Sequence, residues 1–205
     1  MRVLDVAGLR ERLRRPLPVQ AVYGDDGAGR EEAGVTPAAV LVPIVAHADG
    51  LTVLFTQRTA SLRSHSGQVS FPGGRAEPGD PSIEFTALRE AEEEIGLPAR
   101  RVEVLARLPE YFTRTGFRVT PVVGLIQPPL ELVPDSREVD EVFEVPLAFI
   151  LDPANHRRAT RELNGRTVGY YVIEHHGHTI WGATAGMLVN LCRSLGADSG
   201  APRGG

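Results

Sequence analysis

The sequence predicts an α/β or α+β domain built on a mixed, mostly non-parallel β-sheet with two or three helices. Three observations predict it. Short apolar or alternating stretches recur along the chain, separated by Gly, Pro and Asp clusters, which is strand-and-turn patterning. Two segments, Ser82–Ile95 and Ala183–Leu195, instead space their apolar residues at helical intervals. The chain has 205 residues, 42% hydrophobic and 23% charged, the size and composition of one ordinary globular unit.

The elements follow in order. Leu4–Arg14 reads as a short amphipathic helix. Residues 15–36 are rich in Pro, Gly, Asp and Glu and read as a loop or extended arm. Residues 1–36 are therefore taken as a helix and arm, 37–195 as the main domain, and the Gly/Ser/Pro-rich 196–205 as a disordered tail. Ala38–His47 and Leu51–Gln57 are strands joined by Ala48-Asp49-Gly50, which is hairpin chemistry. Gln68–Phe71 is a short strand running into Pro72-Gly73-Gly74. Ser82 is placed to N-cap a helix that Gly96 stops. Val102–Phe112, Arg118–Ile126 and Val139–Val145 read as strands, and Leu147–Leu151 as a helical turn. Thr160–Ile173 and His178–Trp181 read as strands flanking a polar hairpin tip, and Ala183–Leu195 as an amphipathic helix.

Composition excludes several functions. The net charge of −4 argues against a bulk electrostatic grip on nucleic acid. All 22 basic residues are arginine, so a P-loop lysine and a Schiff-base lysine are excluded. Cys192 is the only cysteine, which rules out an intramolecular disulfide and a multi-thiolate zinc site and suits a reducing, cytoplasmic setting. The longest apolar run, Ala38–Ala46, contains Pro43 and is far shorter than the roughly 20 residues of a membrane span, so no membrane partner is expected.

The densest chemistry lies in Thr86–Gly96. On a helical wheel Ala87, Leu88, Ala91 and Ile95 form the buried face. Glu90 and Glu94 lie one turn apart at its edge, Glu93 comes next round beside Arg89, and Glu92 points away. Like charges at this spacing cost an isolated helix roughly 0.2–0.5 kcal/mol per pair. They also crowd the end of the helix that disfavours anions. A hard divalent cation would offset that cost, since Mg²⁺ and Mn²⁺ take carboxylate oxygens; a solvated acidic surface helix is the plainer alternative. Gly73-Gly74 shifts the balance, because two glycines let backbone groups approach a ligand closely.

Two blocks resemble known patterns. Arg89-Glu90-Ala91-Glu92-Glu93-Glu94-Ile95-Gly96-Leu97 is similar to the second half of the Nudix hydrolase signature, G-x5-E-x7-R-E-U-x-E-E-x-G-U, where U is bulky and aliphatic. The first half departs from it: Asp80 replaces the glutamate, and eight residues rather than seven separate it from Arg89. Leu54–Gly74 resembles L-L-T-x-R-S-x3-R-x3-G-x-V-x-F-P-G-G, the mark of the coenzyme A pyrophosphatase branch, which shares the longer box.

This resemblance implies a Nudix-type α/β/α sandwich around a mixed β-sheet. It implies hydrolysis of a nucleoside-linked diphosphate, here coenzyme A, to 4′-phosphopantetheine and adenosine 3′,5′-bisphosphate. ADP-ribose or a dinucleotide is the alternative substrate, and a non-catalytic binding module the remote one. Glu90 and Glu94 would hold Mg²⁺ or Mn²⁺, with Glu93 direct or through water and the Gly73 carbonyl as a further ligand. Arg89 would organise the acids. Arg58, Arg63 and Gly74 would contact substrate. Glu93, Glu94 and Glu138 stand as general-base candidates, with Glu110, Glu141 and Glu144 as rivals. A homodimer is left open, with residues 1–36 and Ala183–Leu195 as the segments available to form its interface or to cover the substrate.

Overall fold

A computed structural model describes residues 4–15, 21–22, 34–59, 67–163 and 165–197. The elements in chain order are α1 (Val6–Leu13), β1 (Thr36–His47), β2 (Gly50–Arg58), β3 (Val69–Ser70), β4 (Gly73–Arg75), α2 (Ile83–Ile95), β5 (Val102–Arg107), β6 (Tyr111–Phe112), β7 (Phe117–Ile126), β8 (Val139–Pro146), α3 (Leu147–Ile150), β9 (Arg157–Leu163), β10 (Arg166–His175), β11 (His178–Trp181) and α4 (Gly182–Ser194).

Strand β1 organises the larger sheet. It runs parallel to β7 from Thr36↔Phe117 to Val45↔Ile126 and antiparallel to β2 and β4. Strand β8 closes the far side of β2, β3 pairs with the end of β2, and β5 and β6 pair with β7. One parallel ladder among antiparallel ones makes the sheet mixed, and helices cover both faces. Side chains on β1 alternate accordingly: Ala38, Val42 and Ile44 join the core under α1, α3 and α4, whereas Ala39, Leu41 and Val45 join Ala87, Ala91 and Ile95 of α2. A strand buried on both faces is apolar throughout, which accounts for the unbroken Ala38–Ala46 run. The predicted α/β/α sandwich is the observed fold. Strands β9, β10 and β11 form a separate antiparallel sheet leading into α4.

Three expectations need correction. Val102–Phe112 is two strands, because the chain breaks at Leu108-Pro109-Glu110, where proline has no N–H to donate. The Thr160–Ile173 stretch is two strands of a hairpin, β9 and β10, turning through Gly165 at φ +73°. Helix α4 is apolar almost all round rather than amphipathic, with Thr184 to Cys192 buried inside the chain. Gly186 allows this, since a Cβ there would sit 2.5 Å from the Tyr111 ring.

The amino-terminal residues dock on the same core. Asp5 caps α1 by accepting from the Gly8 amide (2.8 Å), and Leu9 and Leu13 are buried. Asn190 of α4 exchanges two 2.7 Å bonds with the backbone of Val22. Of residues 196–205, read as a disordered tail, the Gly196 and Ala197 amides donate to Arg193 O (3.0 Å) and Cys192 O (2.9 Å) at the end of α4, and 198–205 lie outside the described residues.

Candidate active site

Helix α2 supplies the acids, and both of its ends follow the sequence rules. Ser82 accepts from the Phe85 amide (3.1 Å), and Gly96 takes φ +67°, where L side chains are strained. The last carbonyls of the helix are used by the following loop: Val133 N–H donates to Ile95 O and Asp135 N–H to Glu94 O, each at 2.9 Å. Glu138 N–H in turn donates to Asp135 O (2.9 Å), which ties the start of β8 to α2.

The glycine pair sits against the acids. Strand β4 pairs Gly73 with Val40 of β1, and a Cβ on Gly73 would lie 2.4 Å from Ala39 O. The Gly73 amide donates to Glu94 Oε2 (3.3 Å). Gly73 thus meets the cluster through its N–H; the expectation for its carbonyl concerns a bound metal. A Cβ on Gly74 would stand 2.5 Å from the Glu90 carboxyl carbon, so glycine here makes room for that carboxylate.

Arg89 is the hub. Its guanidinium donates to both oxygens of Asp80 (3.2 Å each), to Glu90 Oε1 (2.9 Å), to Glu93 Oε2 (3.2 Å) and to the Arg75 carbonyl (3.1 Å). Every donor on the fork faces an oxygen of this chain. Asp80 also accepts from Thr86 Oγ1 (2.8 Å) and the Glu77 amide (2.9 Å). These bonds, led by Arg89, hold its carboxyl down at about 2. Asp80 therefore anchors the arginine across the longer loop.

On the other side of the cluster Arg58, at the end of β2, lies 3.8 Å from Glu94 and 3.9 Å from Glu138. The β2–β8 register brings it there, opposite Val139 at a local irregularity. Glu94 is nearly inaccessible, its side chain 7% exposed, and Glu138 is half exposed at 48%. Burial pushes Glu94 up to about 7; Arg58 and the Gly73 amide pull it back, and the negative charges of Glu138 and Glu90 push it further up. Burial raises Glu90 as well, against the pull of Arg89.

The structure thus brings together Glu90, Glu93, Glu94, Glu138, Arg58, Arg89, Gly73 and Gly74. Arg63 lies outside the described residues. The rivals sit apart: Glu144 bonds to His47 and Thr52, Glu141 to His178, and Glu110 faces Arg118. Among the described residues, no three His, Cys, Asp or Glu groups converge at ligating distance. The chemistry of the expected donor set is that of a hard divalent cation's ligands. The set is all oxygen, and its most buried member, Glu94, is a carboxylate whose charge the nearby Arg58 does not offset. Also among the described residues, no helix is long and apolar enough to cross a membrane.

The fold is an α/β/α sandwich that carries a cluster of carboxylates held by Arg58 and Arg89. Comparison with known proteins makes this specific: a NUDIX domain model matches residues 31–163. An uncharacterized Nudix hydrolase NudL of Photorhabdus laumondii is 43% identical over 158 residues, covering 77% of this chain and 84% of its own. One from Escherichia coli O7:K1 is 41% identical over 168 residues, covering 82% and 86%. A MutT/nudix family protein from Enterococcus faecalis shares the fold, with a TM-score of 0.50 at 17% identity over 80% of this chain and 62% of that one. The chain belongs to the Nudix hydrolase family, whose members generally need divalent metal ions.

Proposed function

We propose that the protein hydrolyses the diphosphate of coenzyme A, or of a derivative of it, to 4′-phosphopantetheine and adenosine 3′,5′-bisphosphate, with Mg²⁺ or Mn²⁺ as cofactor. The observation that carries the reaction is the buried Glu94 carboxylate, one turn from Glu90 and across Arg58 from Glu138, with its charge underneutralised. Support for coenzyme A over other nucleoside diphosphates comes from the Leu54–Gly74 block and the extra residue between Asp80 and Arg89.

Glu90 and Glu94 would hold the ion, with Glu93 as a direct or water-mediated contact. Bound there, the ion supplies charge neutralisation for the diphosphate oxygens and a more acidic water. The rest is done by the chain. Arg89 is a positioning residue that fixes the directions of Glu90 and Glu93, and Asp80 fixes Arg89. Arg58 turns its fork to a phosphate oxygen, a geometry suited to bidentate bonding. Glu138, half exposed and so reachable by water, accepts the proton that the attacking water gives up. The cytoplasm, suited to a single buried thiol, is the proposed compartment.

The test is incubation with coenzyme A, ADP-ribose and a dinucleotide, each with Mg²⁺, Mn²⁺ or EDTA, and identification of products by mass. Metal-dependent release of the two coenzyme A products, well above turnover of the others, is the expected result. Stronger cleavage of another diphosphate would overturn the substrate. Full activity in a Glu94→Gln variant would overturn the metal assignment.

A further inference from the structure

A cleft of about 410 Å³ opens beside the carboxylate cluster. Arg58 and Gly73 form its inner end, so it is continuous with the proposed site of hydrolysis. Its outer walls come from two places outside the Leu54–Gly74 and Arg89–Leu97 blocks. One is the turn that leads into β7 and carries Arg114. The other is the carboxy-terminal unit, where Arg161 of β9, Trp181 of β11 and Thr184 of α4 line it. The second wall lies partly beyond the NUDIX match, which ends at residue 163.

Both walls are held in place. Thr113 N–H donates to Phe117 O (2.8 Å) and Gly116 N–H to Thr113 O (3.2 Å), closing the Arg114 turn, and Thr36 N–H ties that turn to β1 (2.8 Å). Thr184 Oγ1 donates to Val69 O (3.2 Å), pinning the start of α4 to β3. Arg161 sits 5.6 Å from the Tyr170 ring and 5.7 Å from the Trp181 ring, and those two rings meet edge-on at 5.9 Å. The charge is one-sided: among the described residues, three arginines and no acidic side chain line the cleft, on a chain whose net charge is −4. A π surface beside guanidinium groups suits an aromatic ring that carries an anion. The volume is within the range of small-molecule sites, roughly 300–1,000 Å³.

We infer that this cleft takes the nucleoside half of the substrate, with the base against Trp181 and a phosphate on the ribose, additional to the diphosphate, against Arg161 and Arg114. The inference rests on diphosphate hydrolysis at the glutamates and adds to it the residues, Arg114, Arg161 and Trp181, that select a substrate bearing a ribose phosphate.

Trp181 is the only tryptophan, so its emission reports on this wall directly. Titrating the protein in EDTA with adenosine 3′,5′-bisphosphate and with AMP, by fluorescence and calorimetry, reads binding without turnover. The bisphosphate should change the emission saturably and bind about tenfold or more tightly than AMP, the scale of one charge-assisted contact. Arg161→Gln and Arg114→Ala should each cut that preference to about threefold or less. The Arg114 variant is on an exposed turn and decides alone if the Arg161 variant does not fold. Equal affinity for the two nucleotides, an unchanged preference in the variants, or no saturable signal would overturn the inference. Coenzyme A turnover with equal nucleotide affinities would remove the cleft assignment and keep the reaction. Tight bisphosphate binding with no turnover of any diphosphate would do the reverse.

Discussion

Replacing Glu94 by glutamine removes one negative charge and keeps the shape of the side chain. In the metal-free protein this should raise stability, with a size that depends on pH. Burial moves the Glu94 carboxyl from its ordinary 4.5 to about 7. Between those values the folded chain holds a proton that the unfolded chain releases, so stability falls as pH rises. Below pH 4.5 both states are protonated and there is no penalty. Above pH 7 both are ionised and the whole penalty is present. At about 1.4 kcal/mol per pH unit, the gap amounts to about 3 kcal/mol. Glu94→Gln escapes it, so in EDTA the variant should gain on the wild type by roughly that amount between pH 4.5 and 8. For a chain of this length about 3 kcal/mol corresponds to roughly 6–12 °C in Tm. Thermal denaturation of both proteins in EDTA from pH 4.5 to 8 reads this directly. Adding Mg²⁺ or Mn²⁺ at pH 8 should raise the wild-type Tm and move the variant much less, because the ion binds the folded carboxylate. A Tm difference that stays constant over this pH range would refute the reasoning, since the buried charge would then not be its source.

Three further outcomes follow from the geometry. Gly74→Ala places a methyl group where the Glu90 carboxyl now sits, so metal-dependent turnover should fall by about tenfold or more while the urea midpoint moves little; unchanged turnover would show that Glu90 can relocate at no cost. Arg89→Ala removes the guanidinium shared by Asp80, Glu90 and Glu93 and should cost about 2–3 kcal/mol in urea denaturation, with Arg89→Lys failing to restore it because an ammonium cannot reproduce the fork. Asn190→Ala leaves the Val22 N–H and C=O without their side-chain partner and should cost about 1–3 kcal/mol, with faster amide exchange at Val22 as its local signature.

The parts of the molecule set by local spacing were legible in the sequence. Ser82 and Gly96 mark the ends of α2, and the wheel places Ala87, Ala91 and Ile95 on its buried face, because a helix is determined within a few residues. The break at Pro109 and the turn through Gly165 carried visible signals in the sequence, a proline and an Asn-Gly pair, that the longer apolar patterns masked. The position of Arg58 between Glu94 and Glu138 was not available in this way. It depends on the pairing of β2 with β8, about 80 residues along the chain and with an irregularity at that point. The roles of the two glycines were hidden for the same reason. Each is set by what lies opposite, Ala39 O for Gly73 and the Glu90 carboxylate for Gly74. Arg114, Arg161 and Trp181 meet at one cleft only after two sheets and α4 have packed.

The backbone relay from Glu94 O through Asp135 to Glu138 has an evolutionary corollary. The distance between the acid on the helix and the acid on the strand is fixed by main-chain bonds, which any amino acid can make. Side chains along that relay, such as the exposed Val133, are therefore free to vary among descendants of this chain while the spacing of the two acids is kept.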